Sequence, residues 1–206
     1  GRFMKTHLPS PKQLDFVPRK FGRYGISVEP FIERLESCEK PGVVLVSSSM
    51  TYWYPGVFEA VRLLKSAWPD VPVVLGGRYA TLCREHAEKY SGADVVFTGP
   101  FENGGCELVC RMLGIDPLTP VSFEDMPPPL HHLHPDSSTA AVLFSRGCPF
   151  DCTYCVSGRL HPGFVTRRPD SIRHELDYLL NSRGVRHIAF YDDALLAQPE
   201  RLALTV

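Results

Sequence analysis

Residues 42–77 have the sequence GVVLVSSSMTYWYPGVFEAVRLLKSAWPDVPVVLGG, in which two short runs of β-branched and leucine residues, 43–46 and 71–75, flank a longer segment. Neither run alternates apolar with polar residues, a pattern typical of strands that are buried on both faces. The segment between them has apolar residues at helical spacing. They are Val57, Val61, Leu64 and Trp68. A third run at 95–97 continues the alternation and predicts an α/β domain with a doubly wound, mostly parallel sheet.

Small or polar residues follow each of these predicted strands. Ligands of doubly wound sheets bind beyond the carboxyl ends of the strands, where glycine lets a bulky ligand approach the backbone. The sequence therefore predicts a ligand site at this edge. Its candidate residues are Ser48, Ser49, Met50, Gly76, Gly77 and Gly99. The alternative is that Gly76 and Gly77 only form a tight turn.

Composition and charge exclude several classes of protein. The chain has 206 residues, 44% hydrophobic and 22% charged, which excludes a disordered or collagen-like chain. Its formal charge of −1 offers no overall positive field for nucleic acid or anionic lipid. No apolar run approaches the roughly 20 residues of a membrane-spanning helix, and the first residues lack the apolar core of a secretory signal. We therefore expect a cytoplasmic protein with no membrane or nucleic-acid partner.

A proline-rich stretch divides the chain. Six prolines fall between positions 117 and 135 without apolar periodicity, which predicts an extended linker. The predicted domains are 1–115, a linker at 116–138, and 139–206. The last segment contains a strand at 140–145, a helix at 170–182, a strand at 185–191 and a helix from Gln198. These are two βα units, whereas a complete eight-stranded α/β barrel takes roughly 250 residues.

A cysteine cluster lies between the first strand and helix of this last segment. Residues 145–158, SRGCPFDCTYCVSG, place Cys148, Cys152 and Cys155 in CxxxCxxC spacing. Three thiolates on one short loop suit an iron–sulfur centre, and three ligands for four irons leave one iron open to a small molecule. The alternative is zinc with a fourth ligand from elsewhere. Candidates for that ligand are His131, His132, His134 and His161.

The motif FSRGCPFDCTYC (144–155) resembles that of radical S-adenosylmethionine (SAM) enzymes, in the subclass with an N-terminal cobalamin-binding domain. The resemblance implies that Cys148, Cys152 and Cys155 hold a 4Fe–4S cluster. It also implies that SAM chelates the open iron and is cleaved to a 5′-deoxyadenosyl radical. Tyr154 occupies the position where the family packs a ring near the cluster and adenine. The alternative for Tyr154 is a loop aromatic that fills the core.

The resemblance continues through RRPDSIRHELDYLL (167–180) and HIAFYDDALL (187–196). It implies that Asp192 and Asp193, at the carboxyl end of a barrel strand, face the ammonium group of SAM. One of the two could instead cap the next helix. Glu175 could reach the cofactor or remain a solvated helical residue. Arg167 and Arg168 could bind a carboxylate or be surface charges.

The first half resembles the flavodoxin-like cobalamin-binding domain, so the site at its strand ends is expected to take cobalamin. No DxHxxG motif occurs, and no histidine is therefore expected on cobalt. Residues 1–40 also lack the usual first strand. The expected fold is thus a flavodoxin-like domain followed by the first βα units of a partial TIM-type barrel.

The remaining cysteines are not expected to extend the site. Cys106 and Cys110 lie four apart on a predicted helix and are interpreted as buried structural residues. Cys38 and Cys83 have no partner pattern.

The leading hypothesis is an enzyme whose full-length parent carries out SAM-dependent radical chemistry, with cobalamin as a methyl carrier and an electron donor such as flavodoxin or ferredoxin. This chain alone is expected to be inactive, because two βα units do not enclose a radical. The alternatives are a non-catalytic cobalamin- or ligand-binding module and a zinc-stabilised interaction protein. Substrate and reaction type stay open.

Overall fold

The computed structural model describes residues 4–133 and 138–204. The chain forms two units, Gly1–Phe97 and Thr98–Val206. The predicted boundaries at 115 and 138 remain predictions. Among the described residues, every helix is too short or too polar to span a membrane.

The first unit contains a three-stranded parallel sheet with its strands in chain order, β3–β4–β5. An antiparallel pair, β1 with β2, precedes it. The elements are β1 (Lys5–His7), β2 (Gly22–Tyr24), α1 (Val28–Ser37), β3 (Val44–Ser48), α2 (Tyr54–Ala67), β4 (Val73–Gly77), α3 (Arg78–Leu82), α4 (Arg84–Tyr90) and β5 (Val95–Val96). The α/β fold with a parallel sheet is therefore confirmed.

The core of this unit lies between the sheet and α2. Val57, Val61 and Leu64 of α2 are buried against Val73 and Leu75 of β4, as the helical spacing predicts. The burial of β3 differs from the prediction, because exposed and half-buried residues alternate along it. Two short helices follow β4, and the chain breaks at Cys83 between α3 and α4.

The second unit contains two two-stranded sheets: β6 pairs with β9 in parallel, and β7 with β8 antiparallel. Its elements are α5 (Gly105–Leu113), β6 (Thr139–Val142), β7 (Ser145–Gly147), α6 (Ser157–Leu160), β8 (Phe164–Thr166), α7 (Pro169–Asp177), β9 (His187–Phe190) and α8 (Pro199–Ala203). A π-helical turn, Tyr178–Ser182, extends α7. The core lies between β6 and α7 and includes Val142, Phe144, Ile172 and Leu176.

The single strand predicted at 140–145 is instead two strands, β6 and β7, in different sheets. Between them, the carbonyl of Leu143 accepts a hydrogen bond from Arg167 Nη1 at 3.3 Å. The backbone N–H of Phe144 donates to the Asp192 carboxylate at 3.2 Å. Side chains thus replace strand partners at this point, and the chain changes sheet.

The described part of the proline-rich segment packs against the second unit. Residues 115–130 contain no helix or strand. Phe123 is nonetheless buried, and the guanidinium of Arg146 lies 4.4 Å from the centre of its ring. The carbonyl of Glu124 accepts a hydrogen bond from the backbone of Arg168 at 3.3 Å. The segment contains turns at 122–126 and a 3-10 helix at His131–Leu133, and it is held by specific contacts.

Gly77, at the end of β4, is required by the packing of the sheet. Its φ is +91°, and a Cβ built there would lie 2.2 Å from the carbonyl oxygen of Ser48 on β3. Only glycine fits this close approach. At Gly76 the nearest atom to a built Cβ is the carbonyl oxygen of Phe97, at an ordinary 3.8 Å.

We therefore expect Gly77→Ala to destabilise the first unit by roughly 2–4 kcal/mol, through backbone strain and overlap with β3. The matched Gly76→Ala change is expected to cost less than about 1 kcal/mol. Urea unfolding followed by tryptophan fluorescence measures both, since the two tryptophans, Trp53 and Trp68, lie in this unit. Equal stability of the two variants would contradict the packing argument.

Candidate functional site

The three clustered cysteines lie on the loop between β7 and α6. All are free thiols; Cys152 and Cys155 are exposed and Cys148 is half-buried. The N–H of Cys155 donates to the carbonyl of Cys152 at 2.9 Å, which closes a turn between two of the thiols. The sequence motif therefore lies on one accessible loop, directly after a strand.

Local hydrogen bonds affect the last of these thiols. The side chain and the backbone N–H of Ser157 lower the pKa of Cys155 below its ordinary value, the side chain being the larger cause. The backbone N–H lies 3.5 Å from Sγ. A lowered pKa favours the thiolate, the form in which cysteine binds metals. Asp193 acts on Cys155 in the opposite sense, so its carboxylate lies within electrostatic range of the loop.

Gly147, the residue before Cys148, allows two backbone segments to approach closely at the start of the cysteine loop. Its φ is +79°, and a Cβ built there would lie 2.0 Å from the carbonyl oxygen of Gly163 and 3.0 Å from that of His161. The absence of a side chain lets the segment after α6 approach the residue before Cys148. The histidine proposed as a zinc ligand, His161, thus has its backbone close to the loop.

The two aspartates after β9 have different surroundings. Asp192 is half-buried and accepts hydrogen bonds from the backbone N–H groups of Phe144 and Ser145, and from the Ser145 hydroxyl at 2.5 Å. Asp193 is exposed. The prediction that one of them caps the next helix is wrong, because Ala194 and Gln198 hold the N-cap positions of the two helical segments that follow.

Glu175 is buried, with 1% of its surface exposed. Its Oε2 accepts a hydrogen bond from Arg167 Nη1 at 2.5 Å, and its Oε1 lies 2.8 Å from His131 Nε2. Arg167 is 3% exposed and also donates to the hydroxyl of Ser171 at 3.0 Å. The alternatives of a solvated Glu175 and a surface Arg167 are therefore wrong, because the two charges neutralise one another inside the unit.

The neighbouring charged residues and histidines are more exposed to solvent than Glu175 and Arg167. Arg168 is exposed and pairs with Asp125 at 3.3 Å, as expected for a surface charge. His131 is partly buried through its contact with Glu175, whereas His132 is exposed. His134 lies outside the described residues.

Tyr154 and Cys106 correct further expectations. Tyr154 is 88% exposed, so it does not fill the core. Cys110 is buried on α5 as predicted, but Cys106 on the same helix is exposed.

At the carboxyl edge of the first unit, the candidate residues divide by role. Ser48 is buried, and its hydroxyl donates to the carbonyl of Gly76 at 2.6 Å, so it ties β3 to β4. Ser49 and Met50 are exposed. Gly99 has a φ of +85° and open space where a Cβ would lie. The open positions of this edge are thus Ser49 and Met50, beside a packed Ser48–Gly77 contact, whereas Gly99 belongs to the second unit.

Comparison with known families finds two matches along the chain. A model described as the B12 binding domain matches residues 22–109, and one described as the radical SAM superfamily matches residues 142–206. Together the two matches support a radical SAM chain with a B12-binding domain ahead of its radical SAM domain. No curated protein matches the sequence.

A solved structure has a similar fold. It is the radical SAM methyltransferase TsrM from Kitasatospora setae, with a tryptophan substrate and a SAM analogue bound. The TM-score is 0.68 and the sequence identity 16%. The likeness covers 85% of this chain and 41% of the TsrM chain, so this chain spans less than half of that length.

The residues on the cysteine loop fit the iron–sulfur cluster that the radical SAM superfamily implies. Three free thiols within eight residues are a suitable donor set. Within 4–133 and 138–204, no three His, Cys, Asp or Glu side chains already converge on one metal position. The assignments of Cys148, Cys152 and Cys155 to the cluster, and of Tyr154, Glu175, Asp192 and Asp193 to SAM, remain predictions.

The cluster of Arg167, Glu175 and His131 was not predicted from the sequence as a unit. Arg167 and Glu175 lie at opposite ends of a stretch that includes most of α7, and His131 is 44 residues from Glu175. No local sequence pattern links these positions, because they meet only through their contacts with one buried carboxylate.

We expect Asp192→Asn to destabilise the second unit by about 1–3 kcal/mol, because an amide has one acceptor oxygen where the carboxylate has two. Asp193→Asn, at an exposed neighbour, is expected to change stability by less than about 0.5 kcal/mol. Hydrogen exchange of the backbone amides in β6 and β7 under increasing urea measures both. An equal effect of the two changes would contradict the structural role of Asp192.

We expect Arg167→Met to cost about 3–5 kcal/mol, since it leaves the carboxylate of Glu175 buried without its guanidinium partner. Arg168→Met removes the adjacent exposed charge, and we expect a loss of less than about 1 kcal/mol. The same exchange measurement, applied to β6 and β9, separates the two variants. A stable Arg167→Met protein would show that Glu175 does not depend on this ion pair.

Proposed function

We propose that the protein is an enzyme, or part of one, that uses a 4Fe–4S cluster and SAM for radical chemistry and cobalamin for methyl transfer. Two findings support this proposal. The B12-binding and radical SAM matches occur in this order in one chain, and the fold resembles that of a radical SAM methyltransferase. The observation that carries it is the accessible loop with three free thiols inside the radical SAM match.

Cys148, Cys152 and Cys155 would hold the cluster. When bound, such a cluster supplies the electron that cleaves SAM to the 5′-deoxyadenosyl radical. The chain contributes three thiol ligands and the hydrogen bonds from Ser157, which favour the thiolate form of Cys155. Gly147 lets the segment after α6 approach the start of the loop. These residues would bind and orient the cluster at one end of a short antiparallel pair.

SAM would bind beside this loop. Asp193 is exposed and lies within electrostatic range of Cys155, so its carboxylate is available to an ammonium group. Tyr154 is exposed on the loop itself and offers a ring face to adenine. The oxygens of Asp192 and Glu175 already accept hydrogen bonds from protein groups. We therefore favour Asp193 and Tyr154 over Asp192 and Glu175 as direct contacts.

Cobalamin would bind at the carboxyl edge of the first sheet, at Ser49, Met50 and Gly76, beside the contact between Ser48 and Gly77. In a methylation it would deliver the methyl group. The sequence has no DxHxxG motif, so we place no histidine of that motif on cobalt.

An electron donor such as flavodoxin or ferredoxin would complete the system as partner. All seven cysteines are free thiols, which suits a reducing compartment, and we place the protein in the cytoplasm. The tryptophan substrate belongs to the TsrM structure.

Anaerobic reconstitution with iron and sulfide tests the cluster. We expect about four irons per chain and visible absorption. Cys152→Ala is expected to lose both, because it removes a thiol of the loop. Cys106→Ala is the matched control, since it removes an exposed cysteine elsewhere in the second unit and is expected to retain the cluster.

Iron content, sulfide content and the electron-resonance spectrum of the reduced sample measure this outcome. Stoichiometric zinc without iron after the same treatment would favour a zinc site. Loss of iron in Cys106→Ala as well would show that the loop does not hold the metal specifically.

A further inference from the structure

Three consecutive aromatic residues lie shortly after β3 and are exposed. The segment after Ser48 is SMTYWYP, in which Tyr52 is 66%, Trp53 55% and Tyr54 39% exposed. Exposed aromatic side chains in a continuous group mark binding surfaces more often than isolated ones do. This group lies in the part of the chain that matches the B12 binding domain. None of its three residues is among the candidate site residues described above.

A 3-10 turn and the packing of Tyr54 hold this aromatic group in place. Residues Thr51–Trp53 form a 3-10 turn, which the N–H of Trp53 closes on the carbonyl of Met50 at 3.1 Å. The ring of Tyr54 lies 5.2 Å from that of Phe58 and 6.2 Å from that of the buried Tyr79. The hydroxyl of Tyr79 is in turn hydrogen bonded to His86 Nδ1 at 2.7 Å. Tyr54 is therefore the packed base of the group.

Tyr52 and Trp53 are the two more exposed members of the group. Their rings meet edge to face, with centroids 6.0 Å apart and an interplanar angle of 83°. Aromatic pairs prefer this arrangement, and it leaves ring surface available to a third partner.

The turn adjoins the edge where the strands end. It follows Ser48 within three residues and contacts α3, which begins at Arg78 directly after Gly77. Ser48 and Gly77 are paired across β3 and β4. The aromatic group therefore continues the surface of small residues at the carboxyl ends of both strands, where ligands of parallel sheets bind.

We propose that Tyr52 and Trp53 form an aromatic wall that contacts the corrin ring of cobalamin. This inference rests on the proposed function and adds to it the residues that contact the ring. A large, mostly apolar, flat ligand suits this surface, because rigid aromatic side chains bury much area and lose little conformational freedom. Ser49 and Met50, which are exposed, precede them on the same segment.

Titration of the full chain with hydroxocobalamin tests the wall. We expect the double variant Tyr52→Ala/Trp53→Ala to weaken binding by about tenfold or more, from the loss of two aromatic contacts. Phe16→Ala is the matched control, since Phe16 is an exposed aromatic residue, at 83%, between β1 and β2. Its affinity is expected to stay within about twofold of the unaltered chain.

Conservative variants separate ring contact from loss of structure. Tyr52→Phe and Trp53→Phe keep a ring and are expected to retain most of the affinity, with thermal unfolding of each variant as the measure of folding. If Trp53→Phe and Trp53→Ala weaken binding equally, ring contact is overturned.

The remaining outcomes are equally decisive. Cobalamin binding that is the same in the double variant and the unaltered chain would overturn the wall and leave the proposed cobalamin site standing. No binding by the unaltered chain would overturn both. Self-association that the double variant abolishes, with cobalamin affinity unchanged, would assign the surface to a second copy of the chain instead.

Discussion

The carboxylate of Asp192 joins the end of β9 to the point where the chain passes from β6 into β7. It accepts hydrogen bonds from two consecutive backbone N–H groups, at Phe144 and Ser145, and from the Ser145 hydroxyl. These backbone groups lie where the chain leaves one sheet for the other, and a buried N–H without a partner is costly. The carboxylate thus lets β6 end, β7 begin and the cysteine loop start three residues later.

A second buried carboxylate organises the other side of the same unit. Glu175 on α7 accepts a hydrogen bond from Arg167 at the end of β8 and contacts His131 in the proline-rich segment. Arg167 also donates to the carbonyl of Leu143, beside the residues that Asp192 holds. The two carboxylates therefore act on one short stretch, 143–145, from which the cysteine loop follows. Side chains that resemble ligands in the sequence are here part of the support for the loop.

The first unit separates packing from binding in a similar way. Ser48 and Gly77 belong to the contact between β3 and β4, since their backbones approach too closely for any side chain at Gly77. The exposed residues beyond them, Ser49, Met50, Tyr52 and Trp53, are free of that packing role. Small residues at strand ends thus have two physical causes, close strand approach and ligand access, and only the local distances separate them.

The sequence by itself determined the α/β class, the strands near 43–46 and 71–75, the helix between them and the cysteine loop. Each is encoded by neighbouring residues, through apolar periodicity or close spacing, and the family matches agree with them. The tertiary structure alone decided the split of the strand at 140–145, the burial of Glu175 with Arg167, and the different surroundings of Asp192 and Asp193. These features depend on residues that lie 8 to 48 positions apart in the sequence. Burial and hydrogen bonding bring such residues together, and no local sequence pattern encodes the contact.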